Sequence, residues 1–281
     1  TLRNLEECWQ VYVKYLGYRE PAESWTVANR NGSKYRANVT SWHSGYWAGG
    51  DTGDFGRLNI TPDGLQVDPP TWVIPHELMH VFQMHQRDNG PTVDGTWWEG
   101  HANYGRELWL SYYRNLYPNS SGIDANYIHS GHMVVAHGRD YYLSWPFFVY
   151  LDENPDGLPD LGAGIVANMW KSNAPGVYPY ATIENVTPST SLKDIIGYFA
   201  RRELTFDYQN QAAITNALNA QNPTVWRRFQ LAELVRRADD TNWWRVPLEM
   251  APMQGAYATH ELLPQGSGAG RVVTVNFHGL P

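Results

Sequence analysis

Apolar residues recur at helical spacing through residues 5–16, and Gly17 supplies the stop, so the sequence predicts an amphipathic helix at its start. The texture then turns to alternation. Residues 35–42 read as a strand and residues 56–60 as a second, short strand before a Pro62-Asp63-Gly64 turn; the glycine-rich stretch 45–56 between them reads as a mobile connection. Helical spacing returns with apolar side chains at 73, 74, 78, 81, 82 and 84, a buried helix with one polar seam through His76 and His80. Pro75 lacks an N–H, which is harmless only in a first turn, so this helix is expected to begin near Thr71 or Trp72, after Pro69-Pro70. Arg87-Asp88-Asn89-Gly90-Pro91 should end it. A second helix, capped by Asp94 or Thr96, is expected to pack antiparallel on the first.

Further along, residues 143–151 read as a buried helix, and 192–203, 210–220 and 224–237 as three more, with Asn222 and Pro223 punctuating the last pair. Beyond Trp244 the chain is rich in proline and then alternates over 271–277, as the opening of a β module would. The fold class is therefore α+β: a main domain over 1–240, with its sheet in about 1–70 and its helices in about 71–240, followed by a C-terminal β segment over 241–281. No repeat of 20 to 50 residues occurs, which argues against a solenoid or propeller.

Chemistry enters with His76-Glu77-Leu78-Met79-His80. Two imidazoles four positions apart share one helix face and can reach one metal ion, and Glu77 lies close enough to hold a water without being a ligand. A tetrahedral site with an open position needs a third ligand, and Glu99 follows His80 by 19 residues, room for a helix end, a loop and a new helix. His101 is the rival, placed elsewhere around that helix. Asn103, one turn after Glu99, is placed to accept the second ring N–H of a ligand histidine.

Over residues 70 to 105 the chain resembles the gluzincins, the thermolysin-like clan of zinc metallopeptidases, in which HExxH supplies two ligands and a base and a downstream glutamate the third. The resemblance implies a zincin-like catalytic domain, Zn2+ held by His76, His80 and Glu99, and a zinc-bound water activated by Glu77. Two positions depart from the family pattern: its asparagine before the third ligand is Trp98 here, and its acidic residue four positions after that ligand is Asn103. A metzincin would carry a third histidine at position 86, which is Gln86, and an aspzincin a downstream aspartate in a helix, whereas Asp88 and Asp94 read as loop residues. In such folds an edge strand above the metal pairs with extended substrate, and strand 35–42 or strand 56–60 is the candidate.

A hydrolytic site also needs a donor for developing negative charge. The segment 129–142 concentrates such groups; His137 and Tyr141 are the candidates taken, among His129, His132, Arg139 and Tyr142.

Composition narrows the partners. With 281 residues, 42% of them hydrophobic, the chain can bury a large core, and a net charge of −7 leaves no basic stripe for nucleic acid. Arg227-Arg228 with Arg236-Arg237 reads as a solvated helix face. Cys8 alone cannot form an internal disulfide. Five N-x-[ST] sequons, at Asn31, Asn38, Asn59, Asn119 and Asn185, together with a start at Thr1 and no apolar spanning stretch, point to a mature secreted glycoprotein. Asp152, Asn154, Asp156 and Asp160 have calcium-loop spacing, but Ala163 stands where a bidentate carboxylate belongs, and Pro155-Asp156-Gly157 is also a plain turn. Thirteen tryptophans, Trp47, Trp72, Trp97 and Trp98 among them, are enough to line a sugar-binding cleft. The sequence thus predicts a secreted zinc hydrolase, a peptidase or, in the alternative, a glycan-cleaving enzyme acting on polysaccharide or glycoprotein, with no nucleic-acid or membrane partner.

Overall fold

Helix α1 (Leu2–Gln10) runs into a π-helical turn, Val11–Tyr15, and stops at Gly17, which takes φ +74°. Its apolar face delivers Trp9 and Tyr12, and the following Tyr18, edge-on to Phe82, at ring separations of 4.9, 5.3 and 6.3 Å. The computed structural model describes residues 2–21, 37–41, 48–52, 56–66, 71–87, 95–113, 131–138, 141–172, 177–221, 231–240, 242–262 and 274–276.

Three short strands form one sheet, β1 (Asn38–Thr40), β2 (Ala48–Thr52) and β3 (Gly56–Ile60), in the order β1-β3-β2. Leu58 is the hinge of the register, opposite Val39 of parallel β1 and Gly50 of antiparallel β2. Burial along β3 alternates, and Leu58 and Ile60 pack on Ile74. Two expectations change here. Residues 56–60 are the central strand, so they offer no free edge, and the glycine-rich connection contains strand β2, whose ladder to β3 orders a segment that alternation could not reveal. The first strand is shorter than expected, and residues 42–47 lie outside the described residues. Asn59 sits in β3, its side-chain oxygen accepting from the Thr40 hydroxyl, and Asn38 begins β1; Asn185 is exposed on a helix, and Asn31 and Asn119 lie outside the described residues.

The turn at Pro62 is a short helix, α2 (Pro62–Gln66), with the Thr61 hydroxyl accepting from the Gly64 N–H at 3.2 Å. Helix α3 (Val73–Met84) follows, with Pro75 in its first turn, where it breaks no bond. Helix α4 (Gly95–Glu107) continues into a π-helical stretch, Leu108–Tyr113. Thr96 is already helical and is not the cap; Asp94 lies outside the described residues. A 3-10 turn, Tyr141–Leu143, leads into α5 (Trp145–Glu153), whose Pro146 suits a helix start. Two helices escaped the sequence reading, α6 (Ile165–Ser172) and α7 (Pro179–Val186), before α8 (Leu192–Glu203) and α9 (Gln211–Gln221). Ser191 caps α8 by accepting from the Asp194 N–H at 3.1 Å.

The helix expected over 224–237 does not extend through its described end. Val235–Arg236 is strand β4, antiparallel to β5 (Trp244–Arg245). Asp240 turns the chain between them, its side chain accepting from the Asn242 N–H and its carbonyl from Trp243. Arg236 stacks over Trp244 at 4.9 Å instead of lining a helix face; Arg227 and Arg228 lie outside the described residues. Residues 274–276 carry no strand, and the rest of 271–277 lies outside the described residues. The tail packs back on the rest of the fold: Met253 and Tyr257 donate to the carbonyls of His132 and Gly131 in the turns before α5, and the Tyr257 ring meets Phe199 of α8. The described residues make an α+β fold, and no helix among them is long and apolar enough to cross a membrane.

The loop after α5 spends its oxygens on the protein. Asn154 closes the helix at φ 47° and its side chain bonds Leu158 and Leu161; Asp152 accepts from Gly164 and Asp160 from Ser189. Asp156 is gripped by Arg201 and by Arg202, whose Nη2 lies 2.7 Å from Oδ1. This is the turn reading. Burial pushes the Asp156 carboxyl up, but the Arg202 hydrogen bond and the two guanidinium charges outweigh it and hold the pKa below the ordinary range. A carboxyl with a lower pKa folded than unfolded adds stability above its unfolded value of about 3.9, and that stability fades as pH falls through the folded value. Asp156→Asn should therefore cost about 1–2 kcal/mol at pH 7, narrowing below about pH 4. Urea midpoints at pH 7 and pH 3 check this; an equal gap at both removes the charge from the explanation.

Candidate metal centre

Helix α3 carries His76 and His80 one turn apart on its polar seam, both buried, while Leu78, Met79, Val81 and Phe82 enter the core. Helix α4 brings Glu99 against that seam. Two glycines permit the approach: a Cβ on Gly105 would strike Met79 of α3, and one on Gly100 would strike the Tyr141 carbonyl and Ser144 hydroxyl, so the 141–144 turn rests directly on α4. Glu99 Oε2 lies 3.1 Å from His76 Nε2 and 3.4 Å from His80 Nε2, and the two Nε2 atoms are 3.2 Å apart. The three ligand atoms fall within 4.8 Å of one another.

The hydrogen-bond partners fix which ring nitrogens carry hydrogen. Asn103 Nδ2 donates to the Tyr142 carbonyl at 2.6 Å, so its oxygen faces His76 Nδ1, 2.7 Å away, and that nitrogen must be the donor. Gln83 Nε2 donates to the Trp98 carbonyl at 2.8 Å, so its oxygen faces His80 Nδ1, also at 2.7 Å. In the neutral rings both Nε2 atoms are then bare, and they converge on a carboxylate that can only accept. Three lone-pair donors with no hydrogen between them repel unless a positive charge joins them. A proton is one such charge: burial disfavours it on His80, but the hydrogen bond to Glu99 and the carboxylates of Glu77 and Glu99 outweigh that and raise the His80 pKa above 6.5. Burial would raise Glu99 too, yet its hydrogen bonds to His76 and His80 hold it well below the carboxylate range. A metal cation is the other such charge. Two imidazole nitrogens and one carboxylate oxygen, each with its lone pair presented, lie close enough together to hold one metal ion.

His101 is not among the converging ligands. Its Nδ1 is 2.8 Å from Gln83 Nε2, its Nε2 bonds the Tyr18 hydroxyl, and burial holds its pKa well below 6.5. Glu77 Oε1 lies 4.0 Å from His76 Nε2, beside the cluster, with its side chain 14% exposed. Of the aromatic donors, the ring that meets the cluster is Tyr142, stacked on His76 at 6.0 Å and 25°. Burial, the charge of Glu99 and a hydrogen bond to it push the Tyr142 hydroxyl pKa well up, so it keeps its proton. Tyr141 stands behind, its ring 4.7 Å from that of Tyr142. His137 is half-buried in a turn closed by its N–H on the Val134 carbonyl, and His132 in the stretch held by the tail; His129 and Arg139 lie outside the described residues.

Trp98 tilts over His80 at 6.3 Å, half-buried, whereas Trp97 points into the core among Phe147, Phe148 and Tyr180, and Trp72 carries the Arg106 guanidinium at 5.5 Å. Trp47 lies outside the described residues. The sequence reading missed Gln83, which continues the His76/His80 seam by one more turn and was legible there. It also missed Tyr18, which no local signal ties to the site.

No curated protein and no solved structure matches the chain. A family model matches it from end to end, residues 1–281, and the chain with its histidine–glutamate cluster thereby belongs to the Family of unknown function (DUF6055).

Proposed function

We propose that the protein is a secreted zinc-dependent hydrolase built on a gluzincin-like, zincin-type arrangement, and that its substrate is a peptide bond. The observation that carries the reading is the convergence of His76 Nε2, His80 Nε2 and Glu99 Oε2 as bare acceptors, with Glu77 alongside. His76, His80 and Glu99 would hold the zinc ion, which when bound would supply Lewis-acid chemistry. Glu77, placed one residue after the first ligand, takes the proton from the attacking water and returns it to the leaving amine. Tyr142, protonated and lying flat on His76, offers its O–H to the oxygen that gains charge, in preference to Tyr141 or His137.

Strand β2 supports a peptide. It is an edge of the sheet and packs on α3, so its outer backbone groups suit an extended chain added as a further strand. The second reading, a glycan substrate, draws on the two aromatic rings flanking the cluster, Trp98 on His80 and Tyr142 on His76, the latter 45% exposed.

The test is a zinc determination on the purified chain together with peptide-library and polysaccharide panels. The expected result is one bound zinc, peptide cleavage, and a loss of about 10²-fold in kcat for Tyr142→Phe. Cleavage of polysaccharide but no peptide would transfer the assignment to the glycan reading, and a chain that takes up no zinc removes the hydrolase assignment.

A further inference from the structure

The polar seam of α3 does not end at the ligands. Gln83, 1% exposed, lies one turn beyond His80, and behind it stand His101 and Tyr18, 0% and 3% exposed. A zinc site needs its histidines aimed, and a buried polar chain is worth its desolvation only when every member is satisfied. Here each member has a hydrogen-bond partner, and the direction of each bond follows from the one before. The Trp98 carbonyl can only accept, which turns the Gln83 amide so that its oxygen takes the His80 Nδ1–H at 2.7 Å. The second amide hydrogen points to His101 Nδ1 at 2.8 Å, which must therefore be bare. His101 Nε2 then carries the hydrogen and gives it to the Tyr18 hydroxyl. Tyr18 follows the N-terminal helical segment, its own N–H bonded to the Tyr12 carbonyl at 3.0 Å.

We infer that Gln83, His101 and Tyr18 form a positioning relay that holds His80 as the Nδ1–H tautomer with Nε2 aimed at the metal, so that docking of the N-terminal segment contributes to metal affinity. The inference rests on the metal centre proposed above. The relay is made of neutral groups: the Gln83 amide, not a carboxylate, receives the ligand's N–H. Its orientation is set from two sides, by Trp98 and by His101, and neither touches the ion as a ligand. His101 packs edge-on to Phe148 and against Trp170 at 5.6 and 4.4 Å, which fixes the ring on which Gln83 depends.

The experiment is competition for zinc between a chromophoric chelator and the full chain, with a melting curve of each zinc-free protein to separate folding from binding. Gln83→Leu should weaken zinc binding by about 10- to 100-fold. His101→Phe keeps an aromatic ring in the core but drops the partner of the amide, and should weaken binding several-fold. Where one of these fails to fold, Tyr18→Phe deletes only the last acceptor and should still cost a few-fold in affinity. Zinc binding as tight as wild type in Gln83→Leu or in His101→Phe overturns the relay. A wild-type chain that takes up no zinc overturns the metal centre, and the relay with it.

Discussion

Glu77→Gln is expected to give a folded, zinc-loaded protein whose turnover falls by about 10²- to 10⁴-fold, the range a positioned general base contributes. The size follows from what the change removes. Gln has the shape of Glu, so α3 and the rings on either side stay where they are, and His76, His80 and Glu99 still present their three lone pairs within 4.8 Å. What disappears is a carboxylate 4.0 Å from His76 Nε2, the group to which the proposed mechanism gives the water's proton. The loss should fall on kcat, with KM changed far less, because the role proposed for Glu77 is to move a proton and not to hold substrate. Steady-state kinetics and zinc content on the same preparation check it. Unchanged turnover removes the base from the mechanism; zinc lost together with activity would make Glu77 a ligand.

The largest stability effect is expected one turn beyond Asn103. Arg106 and Glu107 are adjacent in α4, and their side chains are only 1% and 3% exposed, with Nη2 and Nε lying 2.7 and 2.9 Å from the same carboxylate oxygen. An arginine stays charged when buried, so it cannot relieve the loss of its partner by giving up a proton. Glu107→Met, close in shape and apolar, should therefore cost about 3–5 kcal/mol, the scale of breaking a buried ion pair by removing one member. Changing both residues to methionine removes the cation as well and should return much of that loss. Urea denaturation of the two variants beside wild type decides it, and a double variant no more stable than the single one would rule out the broken ion pair as the cause. Because α4 also carries Glu99 and Asn103, the single variant should bind zinc more weakly.

Both expectations rest on elements of unequal legibility. The phase of His76 and His80 is a property of any α-helix, and so is the face shared by Glu99 and Asn103; these needed only the 3.6-residue period. Helices over 2–15, 145–153 and 192–203 were readable for the same reason, from apolar spacing with a glycine or proline at an end or a serine cap. Strand β2 was not, because Ala48-Gly49-Gly50 has no alternation, and its state comes from a ladder to β3. Helix 224–237 failed at its described end because Asp240 offers the backbone local hydrogen bonds that compete with a helix.

What this chain's sequence determined by itself is therefore local and periodic: an α+β order of elements, one helix with two imidazoles and a carboxylate in register, and a second helix with Glu99 one turn before Asn103. Tertiary structure decided which groups those residues meet. It placed Tyr142, and not Tyr141, on His76; it turned Asn103 and Gln83 so that both histidines expose Nε2; and it brought His101 and Tyr18, 83 residues apart, into one hydrogen bond behind Gln83. The reason is physical. A helix sets its side-chain directions by backbone geometry alone, whereas contacts between distant segments follow from packing, here the close approaches at Gly100 and Gly105, which no local pattern encodes.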